Sequence, residues 1–345
     1  MEQKNFDPDG VGVDNGTYFG LPFAPETAEL VLISAPWDVT VSYGAGAAYA
    51  PDAVIEASTQ LDFHDPLAPG AWRRGIATAD VDYSLLESSQ RLRADAARVI
   101  DHLEGGGCLE DDYVVRKVRR VNEGCMSMNA NVGAQASRWL DAGKTVGLVG
   151  GDHSTPYGLV QALGERGEGF GILHIDAHCD LRRAYEGFEY SHASIMYNVL
   201  RDVPQAERIV EVGVRDYCDA EAELARSSER IRMFDDTQLS AAAFEGETWG
   251  ATCRRIVAEL PERVYVSFDI DGLSVEYCPH TGTPVAGGLT FNQAVYLLHE
   301  TVRSGRRIIG FDVVEVVPRP GSSIDASTGA RILYKLCGLT LKSEL

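Results

Sequence analysis

The sequence lacks a long apolar run: no uninterrupted span reaches transmembrane length, and the opening MEQKNFDPDG carries no apolar leader. Neither a membrane-spanning helix nor a secretory signal is therefore expected. Cysteine is sparse and unpaired in pattern, with seven in 345 residues and no C-x-x-C. A reduced, cytoplasmic compartment fits that usage. Basic residues are in deficit, 31 Lys and Arg against 51 Asp and Glu, for a formal charge of −20. An acidic surface repels phosphate backbones, so nucleic acid and anionic membranes are excluded as partners, while a cation is attracted. The excess acid also serves solubility. No internal repeat, low-complexity tract or linker divides the chain.

What remains is an ordinary globular composition, 45% hydrophobic and 24% charged. Residues 1–25, rich in Gly, Asp and Pro, read as an N-terminal arm, and residues 26–345 as a single domain. Short Val- and Ile-rich runs at 29–37, 145–151, 170–176, 208–214, 263–271 and 307–317 read as strands buried on both faces. Helical patterns separate most of them: 91–103, 118–143, PYGLVQALGE (156–165), SHASIMYNVL (191–200), TWGATCRRIVAEL (248–260) and FNQAVYLLHETVRSG (291–305). The alternation predicts an α/β fold with a mainly parallel sheet.

LHIDAHCDLR (173–182) closes an apolar run with acid, imidazole and acid at alternate positions. An extended chain points residues i, i+2 and i+4 to one side, so Asp176, His178 and Asp180 converge while Ala177 and Cys179 turn away. TVGLVGG (145–151) runs into Asp152 and His153, and RVYVSF (263–268) into Asp269 and Asp271. In a parallel α/β sheet, ligands collect beyond the carboxyl ends of the strands. A single D-x-D at a strand end is usually a turn or a helix N-cap. DAHCD, GGDHS and SFDID together are far more specific. Crowded carboxylates repel unless cations neutralise them, and buried charge without a partner is too costly to keep. Divalent metal is the natural solution. A set of about six ligands exceeds what one tetrahedral zinc needs, and aspartates can bridge two ions. The oxygen-rich mix with two imidazoles suits Mn²⁺ and tolerates Ni²⁺, with Zn²⁺ less favoured.

In order and approximate spacing, GGDHS (150–154), HIDAHCD (174–180) and SFDID (267–271) resemble the metal signatures of the ureohydrolase family, which includes arginase and agmatinase. PWDVTVSYGAGAAYAPDAVIEAS (36–58) is similar to the family's N-terminal segment, and TGTPVAGGLT (281–290) and GFDVVEVVP (310–318) to its late motifs. The resemblance runs from about residue 28 to residue 340. It implies a three-layer α/β/α fold and two ions, Mn²⁺ or Ni²⁺. One would be held by His153, Asp176, Asp180 and Asp269, the other by Asp176, His178, Asp269 and Asp271, with Asp176 and Asp269 bridging. It implies that Glu315 grips a guanidinium and that His192, in YSHAS, shuttles protons at the mouth of the site. It also implies a trimer or hexamer, which could include a paralogous subunit.

The chemistry of the substrate agrees. A guanidinium is planar and cationic, and resonance makes its carbon a poor electrophile. Hydrolysis needs a strong nucleophile held against that carbon, an acid to orient the cation and a proton for the departing amine. Asp180 is the expected first proton acceptor. Asp152 is expected to orient ligands rather than to be one. His64, His102 and His299 read as surface or packing residues. His174 shares strand parity with Asp176, so it stands either behind the ligands or as a buried structural histidine. His280, in PHTGTP, is a candidate substrate contact.

The chain departs from arginase at two places. Leu181 and Arg182 follow DAHCD where arginase has an asparagine that reads the amino-acid end, and Cys218 takes the place of its amine-binding acid. Both argue against arginine as substrate. DLRRAYEGFEYSHASIMYN (180–198) is similar to an agmatinase-like branch that includes guanidine hydrolases and metformin-type biguanide hydrolases. Ala193 replaces a glycine usual after the histidine and narrows the entrance. Tyr185, Phe188 and Tyr190 either wall the entrance or pack the loop, and aromatic walls favour small or methylated cations. The expected substrate is a small cationic guanidino compound, guanidine or a small alkylated guanidine or biguanide, with Arg182 among its contacts. Agmatine or a guanidino acid is the second reading, and a weakly active partner subunit in a mixed oligomer the third. A deacetylase of the related zinc fold would need a histidine pair, and the chain has no His-His.

Overall fold

The computed structural model describes residues 6–344. Eight strands build one sheet: β1 (Leu30–Ala35), β2 (Ile76–Thr78), β3 (Thr145–Gly150), β4 (Phe170–Ile175), β5 (Ala206–Val212), β6 (Ile231–Phe234), β7 (Arg263–Asp269) and β8 (Arg307–Val314). Their order is β2-β1-β3-β8-β7-β4-β5-β6, and every pairing is parallel. Strands β3 and β4 are buried at every position, as their unbroken apolar runs require of strands covered on both faces.

Among the described residues ten helices supply that cover: α1 (Ala50–Ser58), α2 (Tyr83–Glu104), α3 (Asp112–Asp141), α4 (Tyr157–Gly164), α5 (Ile195–Asp202), α6 (Asp219–Ser227), α7 (Asp236–Phe244), α8 (Trp249–Ala258), α9 (Phe291–Arg303) and α10 (Ile324–Ser343). Val54 of α1, Ile256 of α8, Leu297 of α9 and Leu333 of α10 pack with Leu32, Leu173 and Val266 on one face. Leu92 of α2, Met128 of α3, Leu159 of α4 and Val199 of α5 pack with Val31, Ile172 and Tyr265 on the other. The fold is a three-layer α/β/α sandwich. Among the described residues no helix is long and apolar enough to cross a membrane.

The expected N-terminal arm is not free along its length. Tyr18, Phe19 and Leu21 are buried, Tyr18 Oη sits 2.8 Å from Ser34 Oγ, and the Phe19 ring meets Tyr334 edge-on at 5.2 Å. Two aromatic rings bury too much area to be left in a solvated tail.

Candidate metal centre and cavity

Four adjacent strands, β3, β8, β7 and β4, end at one place on the carboxyl edge of the sheet. Each delivers ligand-type side chains just past its last residue, which is where an open parallel sheet gathers its chemistry. His153 follows β3. Its Nδ1 lies 2.9 Å from Asp176 Oδ2, 3.1 Å from Asp180 Oδ2 and 3.2 Å from Asp269 Oδ2. His178 Nδ1 lies 3.4 Å from Asp176 Oδ1 and 3.2 Å from Asp271 Oδ2. All six residues expected as ligands therefore meet, in two groups that share Asp176. Ligand atoms of His153, His174, Asp176 and Asp180 fall within 4.8 Å of one another, and so do those of Asp176, His178 and Asp271.

Backbone hydrogen bonds fix these side chains. The Ala177 amide donates to Asp271 Oδ1 (3.0 Å), the His178 amide to Asp176 Oδ1 (2.6 Å) and the Asp271 amide to Asp269 Oδ1 (2.8 Å). Behind them, His153 Nε2 lies 2.9 Å from Ser267 Oγ, and His174 Nε2 2.9 Å from Asp176 Oδ2. Asp180 is held at φ +53°, its carbonyl accepting from the Met196 and Tyr197 amides at the start of α5. Left-handed backbone is costly for a residue with a Cβ and clusters at functional sites.

The donor set fits cations. His153 Nδ1 and Asp180 Oδ2 are buried 3.1 Å apart in the same cluster, and neither makes a well-aligned hydrogen bond. Burial, and then the Asp176 charge, push the Asp180 carboxyl up to about 6. Burial, and then Asp271 and Asp176, push Asp269 well above the usual carboxylate range. His178 is raised to about 12 because Asp271 and Asp176 outweigh its burial. Crowded acids of this kind favour cations between them, and oxygen-rich sites with imidazoles hold divalent ions.

Glu315 follows β8 directly, at φ +60°. Its Oε1 accepts from the His153 amide (2.9 Å), and its own amide donates to the Gly151 carbonyl (2.8 Å). A Cβ on Gly282 would stand 3.4 Å from Glu315 Oε2, so that glycine keeps the approach clear. Burial, and then Asp152, raise the Glu315 carboxyl well above its ordinary range. Asp152 itself is buried outside the cavity and caps its own turn, accepting from the Ser154 amide and hydroxyl.

A cavity of about 150 Å³ opens onto this cluster. His153, His178, Asp180, Asp269, Asp271 and Glu315 line its inner end. Arg182, Tyr185 and His192 stand among its other walls. The Arg182 guanidinium stacks on Tyr185 at 4.8 Å, its Nε lies 3.7 Å from Glu221 Oε2, and Tyr185 meets His192 edge-on at 6.1 Å. Burial, and then His178 and His153, push His192 down to about 3. Of the three aromatics expected at the entrance, Tyr185 is there. Phe188 is core, and Tyr190 packs on Tyr157.

His280 is placed elsewhere. Its Nδ1 lies 2.7 Å from Asp325 Oδ2, and it is not among the cavity residues. Asp325, at the start of α10, accepts from its backbone amide and pairs with its ring. Cys179 is buried in the apolar layer and Cys218 caps α6. Ser42, Asp216, Glu221 and Thr283 also line the cavity, although no motif singled them out.

The sequence profile of the arginase family matches residues 28–338. The chain belongs to the arginase family. It is similar to the N(1)-aminopropylagmatine ureohydrolase of Thermus thermophilus, with 31% identity covering 91% of each chain. It is also similar to the agmatinase of Neisseria meningitidis, with 30% identity covering 90% of this chain and 86% of that one. In fold it resembles the proclavaminate amidino hydrolase of Streptomyces clavuligerus, with a TM-score of 0.71, 22% identity, and 95% and 97% of the two chains covered. This arginase-family chain is a ureohydrolase, acting on carbon–nitrogen bonds of linear amidines in guanidino compounds.

Proposed function

We propose that the chain hydrolyses guanidine or a small alkylated guanidine or biguanide. One C–N bond breaks, the oxygen of water stays on the carbon, giving urea from a guanidine, and the nitrogen leaves as ammonia or an amine. The observation that carries this reading is the cavity: small, acid-lined at its inner end, and walled by the Arg182–Tyr185 stack. A short cation fits between them. A long diamine would bring its second ammonium up against the Arg182 cation, which is unfavourable at close range.

His153, Asp176, Asp180 and Asp269 would hold one divalent ion, and Asp176, His178, Asp269 and Asp271 the other. Two such ions supply the charge that makes water nucleophilic near neutral pH. The oxygen-rich set supports Mn²⁺ or Ni²⁺. Glu315 binds the guanidinium through the oxygen that the His153 amide does not occupy, and orients its carbon toward the cluster. Asp180 accepts the first proton. His192, neutral at physiological pH, accepts at one ring nitrogen and donates at the other, which suits passage of a proton at the mouth. Arg182 shapes the wall that the substrate's tail meets.

A second reading, agmatine or a guanidino acid, is favoured by the exposed Asp216 on the cavity wall, which would attract a distal ammonium. The names of the curated relatives support agmatine too. The family resemblance further supports a trimer or hexamer, and a cytoplasmic location. The test is urea release from a panel of guanidines by protein reconstituted separately with Mn²⁺ and Ni²⁺. Fastest release from guanidine or its small derivatives is expected. Preference for agmatine moves the reading to the second. No urea without a paralogous chain makes this a partner subunit.

A further inference from the structure

Close to the carboxyl edge, four polar side chains cross the sheet in register. Glu211 of β5 pairs with His174 of β4, His174 with Ser267 of β7, and Ser267 with Asp312 of β8. Register partners in parallel strands project to one face, here the face covered by α2 to α5. All four are fully buried. A polar row inside an apolar layer is costly unless each group is satisfied.

One end of the row has its work in plain view. A histidine that ligates through Nδ1 carries its proton on Nε2, so His153 donates to Ser267 Oγ at 2.9 Å. The Ser267 hydroxyl proton then turns to Asp312, whose other partners are Tyr265 Oη (2.8 Å) and the Phe268 amide (3.2 Å). At the other end, His174 Nε2 lies 2.9 Å from Asp176 Oδ2 and donates to it. That leaves His174 Nδ1 as an acceptor, and it is buried without a partner. Beside it in register, both carboxyl oxygens of Glu211 are buried without a partner as well. The Cys179 thiol lies close enough to that carboxyl to act on it.

We propose that Glu211 is a positioning residue for the metal centre: its carboxyl O–H, through one bridging water, supplies the donor to His174 Nδ1, and so holds His174 with its Nε2–H fixed on Asp176. The proposal rests on the reading of Asp176 as a metal ligand, not on any choice of substrate. Burial, and then the Asp176 and Asp180 charges, raise the Glu211 carboxyl well above its ordinary range.

The test is calorimetric titration of Mn²⁺ into the metal-free protein, comparing wild type, Glu211→Gln and Glu211→Leu. The glutamine amide supplies an N–H in place of the O–H, so its affinity should stay within about threefold of wild type, while leucine should weaken binding by about 10- to 100-fold. Rescue by glutamine and not by leucine is a signature that a merely structural role would not produce. Equal affinity in all three proteins overturns the proposal, and so does an equal loss in both variants. Should the leucine chain not fold, the infrared difference between wild type and Glu211→Gln decides: a protonated carboxyl band at neutral pH is expected, and a carboxylate band refutes. Absence of Mn²⁺ binding by the wild type would instead sink the metal reading itself.

Discussion

Glu315→Gln isolates the grip on the guanidinium from the hold on the metals. In the native site Oε1 takes the His153 amide at 2.9 Å, which leaves Oε2 for the cavity. Glutamine must put its carbonyl oxygen on that amide, because its NH₂ would set donor against donor there. The NH₂ then faces the cavity and meets the N–H groups of the substrate. A cation that paired with a buried carboxylate now faces another donor. Removing one partner of a buried ion pair costs about 3 kcal/mol at the low end, or roughly 150-fold in kcat/KM. Glu315 belongs to neither ligand cluster, so the metal content should not change. The assay is urea release across a range of substrate concentrations, with metal counted by mass spectrometry on the same sample. Unchanged kcat/KM in a fully loaded Glu315→Gln protein refutes the assignment. Loss of activity together with metal refutes the separation of roles.

Asp176→Ala and Asp269→Ala should each abolish urea release and lower bound metal together, and full metal content in either would break its assignment as a bridging ligand. Arg182→Ala should raise the ratio of agmatine to guanidine kcat/KM about tenfold, near the 1.4 kcal/mol of a partly screened like-charge contact; an unchanged ratio removes Arg182 from specificity. In the metal-free chain, burial raises Asp152 and Glu186 to about 7, and His178, despite burial, is raised to about 12 by its acids. The native state then binds more protons than the unfolded one between pH 6.5 and about 8, so the stability of the metal-free chain falls as pH rises through that window. Mn²⁺ competes with the His178 proton and should weaken the trend. Thermal melts in chelator and in Mn²⁺ check both, and a flat profile in chelator counts against the crowded-acid picture.

The strands that carry the site were legible because burial on both faces leaves an unbroken apolar run, and because each run ends abruptly in acid or imidazole. β2 and β6 were not, since IAT and IRMF are too short to show a period. Helix α10 was missed for the opposite reason. It is buried nearly all round, so it has no polar face to give it a 3.6-residue rhythm. Ligand parity in DAHCD could be read from alternation alone. Ser42, Asp216, Glu221 and Thr283 could not, because they sit on segments that meet only when the sheet order is known. Glu221 did carry a local signal, three residues after Cys218 in a capping box, but that signal speaks of a helix start and not of a cavity. His280 shows the converse case. Its neighbours in PHTGTP reach the site, yet a single acid on α10 claims its ring.

The central claim is that two cations sit between shared carboxylates at the end of four adjacent strands. Anomalous diffraction from crystals soaked in Mn²⁺ tests it most directly. Two peaks are expected, one against His153 and Asp180, the other against His178 and Asp271, with Asp176 and Asp269 touching both. A single peak, or none with those side chains turned apart, would contradict it.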